Sequence, residues 1–236
     1  MHIVQLQYAG FRFGFGIHLG IHQARLWLRG RGWRGLGLAL LLLWPLTGST
    51  LQAAERWLVL GDSLSAAYGI PQQAGWVALL GQRLAALQPP IELINASLSG
   101  ETTSGGLQRL PDLLRQHRPT RVLLELGAND GLRGQDLRAS QANLERMVQM
   151  IQRQGAEVAL LGIRLPPNYG PAYNRMLERM YADIAERHGL LFDPFFLQEV
   201  ALRAELMQDD GLHPNAKAQP LIQERIWGLL RPGAGN

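Results

Sequence analysis

No cysteine occurs in the 236-residue chain, which removes disulfides, a thiolate nucleophile and thiolate-bound metal at once. Acidic residues are missing from one region: residues 1–54 carry five arginines (Arg12, Arg25, Arg29, Arg31, Arg34) and no Asp or Glu. The remaining 18 of the 23 basic residues face all 19 acidic ones, so the rest of the chain has a net charge of −1. The overall +4 and the pI near 9.9 therefore come from the first 54 residues, and a nucleic-acid partner is not indicated. The sequence also lacks internal repeats, low-complexity tracts and a composition break that would mark a second domain. No apolar run is long enough to span a bilayer: the segment 35–46 has an apolar core of about ten residues, half of the roughly 20 that a spanning helix needs.

That segment is instead built like the middle of a secretory signal peptide, with an arginine-bearing flank before it and small residues after it. Residues 1–54 are expected to be a leader cut near 53–54. The basic flank is longer than usual, and Leu51 or Gln52 is bulky for the position three before the cut. Without cysteine the leader cannot be lipidated as a lipoprotein, and it has no adjacent arginine pair of the twin-arginine type. The product is expected in the periplasm or outside the cell, as one domain over 55–236, with no stable membrane insertion once the leader is removed.

Of the chain, 47% is hydrophobic, enough for one domain with a full core. From residue 55 onward, short apolar runs alternate with amphipathic segments. The runs at 57–60, 91–96, 122–126, 158–163 and 190–192 have the length and composition of buried parallel strands. The segments 75–87, 106–116, 140–154, 172–188 and 215–230 have helical periodicity, with glycines such as Gly155 and Gly189 marking ends. The alternation predicts a three-layer α/β/α domain around a parallel sheet. In such folds ligands bind outside the carboxyl ends of the strands.

The chemistry-bearing residues fall at those ends. Ser63 follows the first run, Gly100 lies in the loop after the second, and Asn129 follows the third. Before the last helix, Asp210 and His213 lie three residues apart. A serine hydroxyl attacks a carbonyl only when a base takes its proton, and histidine is suited to that near neutral pH. Beyond the leader the histidines are His117, His188 and His213. The first two sit at helix carboxyl ends, where a cation complements the helix dipole. His213 alone has a carboxylate placed to orient its ring, Asp210 or its neighbour Asp209. The Ser63 and Gly100 amides and the Asn129 side chain are available as donors to a developing oxyanion. Each has a plainer reading, as turn glycine, Asx turn or capping histidine, but together they point to acyl transfer. Asp62 and Asp130 are expected to brace loops through backbone amides. A phosphate cradle at 61–65, as in a non-catalytic binding module, lacks the glycine density and lysine of a phosphate loop.

The blocks Gly61-Asp-Ser-Leu64, Ser97-Leu-Ser-Gly100, Gly127-Ala-Asn-Asp130 and Asp210-Gly-Leu-His213 resemble, in order, those of the SGNH or GDSL hydrolases. The longer strings at 95–103, 127–134 and 164–170 are similar to the branch of secreted bacterial thioesterases, lysophospholipases and arylesterases. The resemblance implies a flavodoxin-like five-stranded sheet in order 2-1-3-4-5. It implies Ser63 as nucleophile, His213 as base, Asp210 rather than Asp209 as its orienter, and Ser63, Gly100 and Asn129 as the oxyanion hole. No metal and no cofactor is expected. The expected substrates are small acyl esters or thioesters, lysophospholipids among them, turned over by a monomer. Leu165 and Tyr169, in the proline-rich loop 165–171, are suggested as contacts in an acyl groove. A carbohydrate O-acetyl esterase would use the same four blocks with a small polar pocket.

Overall fold

The structure, a computed structural model, describes residues 55–230. The leader and its cleavage point lie outside the described residues, as do the last six. Five strands form one parallel sheet in the order β2-β1-β3-β4-β5: β1 Glu55–Gly61, β2 Ile91–Asn95, β3 Arg121–Glu125, β4 Glu157–Leu161 and β5 Leu191–Asp193. The expected fold and strand order are those observed. Trp57, Leu58, Val59 and Leu60 of β1 and Val122, Leu123 and Leu124 of β3 are buried, as central strands covered on both faces must be. The covering helices are α1 Trp76–Ala85, α2 Thr103–His117, α4 Leu137–Arg153, α5 Pro171–His188 and α6 Gln219–Leu230, with a short α3 at Ala128–Leu132 between α2 and α4 in the chain.

Helix starts differ from those expected by pattern because capping, not apolar periodicity, decides them. Thr102 accepts a hydrogen bond from the Gly105 amide and starts α2 ahead of its glycines. Asp136 accepts from the Arg138 amide and starts α4 three residues before the apolar stripe suggests. At the other end, Asn215 turns its side chain onto the Lys217 amide at 2.9 Å, which delays α6 until Gln219. The last strand is tied to the last helix by Asp193, which is buried and accepts from Arg225 at 2.5 and 2.9 Å. That pair fixes the start of the long connection carrying residues 194–213.

Removing one partner leaves a buried charge without compensation, which costs far more than the intact pair contributes. Arg225→Leu is therefore expected to lower stability by about 2–4 kcal/mol, read as a drop in the urea midpoint. Adding Asp193→Asn should recover much of the loss; no drop in the single variant would show that the pair does not anchor α6.

Candidate active site

The parallel sheet puts three connections on one rim. Directly after β1 the chain turns at Asp62-Ser63: the Ser65 and Ala66 amides donate to the Asp62 carbonyl at 3.2 and 2.9 Å. The Asp62 carboxylate accepts from the Leu64 amide at 3.0 Å. After β2, the Ala96 amide donates to Val59 O at 2.9 Å and the Leu98 amide to Gly61 O at 3.1 Å, which draws the Gly100 loop beside the first turn. After β3, Gly127 at φ +121° opens α3 and presents Asn129. A Cβ at Gly127 would overlap the Tyr181 hydroxyl, which donates to Leu126 O at 2.9 Å.

The fourth piece arrives from far along the chain. Gln208 N donates to His213 O and Asn215 N to Leu206 O, both at 2.8 Å, closing the loop 206–215 on itself. Buried Gln219 accepts from the Trp76 amide at 2.9 Å and donates to the Asn215 carbonyl at 3.2 Å, which fastens that loop to the start of α1. Within the loop, Asp210 Oδ1 accepts from the Leu212 and His213 amides at 2.9 and 3.0 Å.

These constraints bring the predicted residues together. His213 Nε2 lies 2.8 Å from Ser63 Oγ, and His213 Nδ1 lies 2.6 Å from Asp210 Oδ2. It is Asp210, not Asp209, that holds the ring. Burial alone would raise the Asp210 pKa, but the hydrogen bonds from the His213 amide, its ring and the Leu212 amide prevail and hold the carboxyl below its ordinary value. The Tyr68 ring lies 4.5 Å from the imidazole at a 39° tilt. A hydroxyl, an imidazole and a carboxylate in this chain can carry a proton away from oxygen as that oxygen attacks carbon.

The expected oxyanion donors share one pocket with His213. Ser63, Gly100 and Asn129 all line one pocket, and the Ser63 and Gly100 amides have no protein acceptor among the described residues. Asn129 Nδ2 donates to Asp62 Oδ2 and to the Glu101 carbonyl, each at 3.0 Å. Asp62 and Asp130 are loop braces as expected: Asp130 accepts from the Thr103 amide at 2.9 Å and from the Ser140 hydroxyl at 3.0 Å. His117 and His188 are the last residues of α2 and α5, away from this pocket.

The pocket holds about 690 Å³, within the range of small-molecule sites, and its walls include Leu132, Ile163, Leu165, Phe195, Leu197 and Met207. Leu165 is buried in the wall, its amide and carbonyl both bonded to the Asn174 side chain at 2.8 and 3.0 Å. Tyr169 is not part of the lining. The 3-10 turn Pro167–Tyr169 carries it past the groove, and its hydroxyl donates to Leu132 O at 3.1 Å, so it supports a lining residue. Arg164 and Glu178, ion-paired at 2.8 Å, add charge to one wall.

Two neighbours of the site were not singled out from the sequence. Glu125 is fully buried under the Ser63 turn; its signal is a lone acid inside the apolar run 122–126. Tyr68 has no comparable mark. Among the described residues no three His, Asp or Glu side chains converge as a metal site requires, and no helix is long and apolar enough to cross a membrane.

Comparison with known proteins agrees with this geometry. Residues 59–220 match the GDSL-like Lipase/Acylhydrolase family. The chain is 48% identical over 180 residues to "Esterase TesA" of Pseudomonas aeruginosa, an alignment covering 76% of this chain and 90% of that protein. It is 44% identical over 180 residues to "Thioesterase 1/protease 1/lysophospholipase L1" of Escherichia coli strain K12, covering 76% and 85%. The crystal structure of the psychrotrophic esterase EstA from Pseudoalteromonas sp., inhibited by monoethylphosphonate, superposes with a TM-score of 0.73 at 47% identity, covering 77% of this chain and all of that one. Near-half identity to whole esterases and a family match across almost the entire fold place the chain in the GDSL-like lipase/acylhydrolase family: it is a hydrolase of ester bonds.

Proposed function

We propose that the chain is a secreted serine esterase, acting as a monomer over residues 55–236, that hydrolyses carboxylic esters and thioesters through an acyl-enzyme on Ser63. The observation that carries this is the hydrogen-bond chain from Ser63 Oγ through His213 to Asp210, 2.8 and 2.6 Å long, opening onto an apolar pocket. His213 Nε2 takes the hydroxyl proton as Ser63 Oγ bonds to the carbonyl carbon. The carbonyl electron pair moves onto oxygen, which the Ser63 and Gly100 amides and Asn129 Nδ2 receive. Both Asn129 hydrogens already have acceptors, and the bond to the Glu101 carbonyl is the one that yields, because Asp62 is buried and cannot turn to water for replacement. The tetrahedral carbon then expels alkoxide or thiolate, which collects the proton from His213. Water attacks the acyl-enzyme by the same steps.

The apolar walls favour an acyl chain over a polar leaving group as the occupant. Acyl-CoA thioesters, lysophospholipids and aryl or short-to-medium acyl esters fit this description; a carbohydrate O-acetyl esterase would not need walls of Leu, Ile and Phe. The binding-module alternative is disfavoured by the turn itself. Its Leu64, Ser65 and Ala66 amides are spent on Asp62, and the Asp62 carboxyl stands where a phosphate would have to approach. Export is supported by the leader's composition, an arginine-bearing flank before an apolar core of about ten residues. Intact mass of the exported protein should show a chain starting close to Glu55.

Ser63→Ala is expected to lose at least roughly 10⁴-fold in kcat on p-nitrophenyl esters and to escape fluorophosphonate labelling; undiminished turnover would overturn the mechanism. Asn129→Ala should cost about 10²- to 10³-fold in kcat with KM little changed, while a KM effect alone would make Asn129 a binding group. Across an ester series from two to sixteen carbons, Leu165→Ala should move the preferred chain length, and an unchanged profile would remove Leu165 from the acyl site.

A further inference from the structure

Beneath the Ser63 turn lies a second carboxyl group that the mechanism above does not use. Glu125, the last residue of β3, is fully buried. Its Oε2 accepts from the Ser65 hydroxyl at 2.7 Å and from the Asp62 amide at 3.2 Å; its Oε1 is sealed from water and has no partner. Gly61 makes room for it, since a Cβ there would stand 2.7 Å from Oε2. Asp62, whose amide donates to Oε2, is itself buried, and its carboxyl is close enough for its charge to act on Glu125. The other titratable groups acting on the pair are Tyr181 on α5 and His213 on its loop, and Asp130 on α3 acts on Tyr181. Among the described residues neither carboxyl is ion-paired with an arginine or lysine.

Two ionised carboxylates have no proton between them, so neither could donate to the other. Burying both without a cation is among the costliest arrangements a core can hold. A partnerless Oε1 stripped of water adds to that cost if it is charged, and little if it belongs to a neutral acid. One proton on the pair removes the conflict. It leaves one carboxylate to accept from the Leu64 amide at 3.0 Å and from Asn129 Nδ2 at 3.0 Å, and Asp62 makes both contacts.

We propose that Glu125 is a positioning residue that works as a neutral carboxylic acid, holding the Ser63 turn through Ser65 and the Asn129 amide through Asp62. The inference rests on the proposed oxyanion role of Asn129. The direction of each group's ionisation agrees. Burial, reinforced by the neighbouring Asp62 charge, pushes Glu125 well above the usual carboxyl range. Burial pushes Asp62 up to about 6 against the lowering influence of the Leu64 amide and His213. The pair thus keeps protons that the unfolded chain has released above its ordinary carboxyl range, near pH 4. Its contribution to stability is therefore fully present below about pH 4 and is lost as pH rises toward and past 6.

Three measurements test this. Infrared difference spectroscopy at neutral pH, Glu125→Gln against wild type, should show a protonated carboxyl carbonyl band that the variant lacks and Ser63→Ala retains. Absence of that band in wild type would overturn the neutral acid whatever the catalytic result, and its presence would stand even if Ser63 proved not to be the nucleophile. Glu125→Gln, an uncharged isostere, should keep kcat within about threefold and gain stability on wild type as pH rises from about 4 to 7; a parallel pH dependence would also refute the proposal. Glu125→Ala should lower kcat roughly 10- to 100-fold with KM within about twofold, and its effect should fail to add to that of Asn129→Ala. Full additivity would break the route through Asp62. Where the alanine variant does not fold, Asp62→Asn replaces it in the same cycle.

Discussion

Parallel strands of one sheet all point their carboxyl ends to the same edge, and that directional constraint underlies everything the site does. A strand buried on both faces has little room for polar residues along its middle, so most polar groups of the site lie in the turns that follow β1, β2 and β3, with Glu125 at the end of β3 the exception. Those strands are neighbours in the sheet, and the turns are therefore neighbours too. Ser63, Gly100 and Asn129, up to 66 positions apart in sequence, are brought to one edge by the strand register, and a few bonds between the turns, such as Asn129 to Asp62, then set them.

His213 has no such guarantee. It belongs to an irregular stretch after the edge strand β5, and its arrival over Ser63 depends on particular side chains. Arg225 on Asp193 sets the root of the stretch, and Gln219 ties its end to α1. The site thus has two halves with different physical origins, one imposed by sheet topology and the other by a few buried polar contacts.

Legibility in the sequence follows the same division. The strands could be read because doubly buried strands are nearly continuous apolar runs, and the site could be read because its residues come directly after them. Helix starts were less legible, since Thr102, Asp136 and Asn215 act through single side-chain bonds that periodicity does not record. The short helix at 128–132 reads as loop because it holds two small residues and two polar ones, and only the Gly127 backbone turn starts it. Leu165 and Tyr169 looked alike in sequence, yet a 3-10 turn separates the wall residue from the one behind it. Glu125 was visible as a lone acid in an apolar run, but its meaning depends on Asp62, which lies 63 positions away.

The Asp210 to His213 segment is bonded mainly to itself: one carboxylate receives both amides and the ring of the same four-residue turn. Acid and base therefore travel as a unit. If the 206–215 loop lifts, the bonds within the turn move with it, so the imidazole leaves Ser63 with its own carboxylate partner still attached. Opening of the loop therefore costs the site the single contact between imidazole and Ser63, and closing needs only that contact to form again.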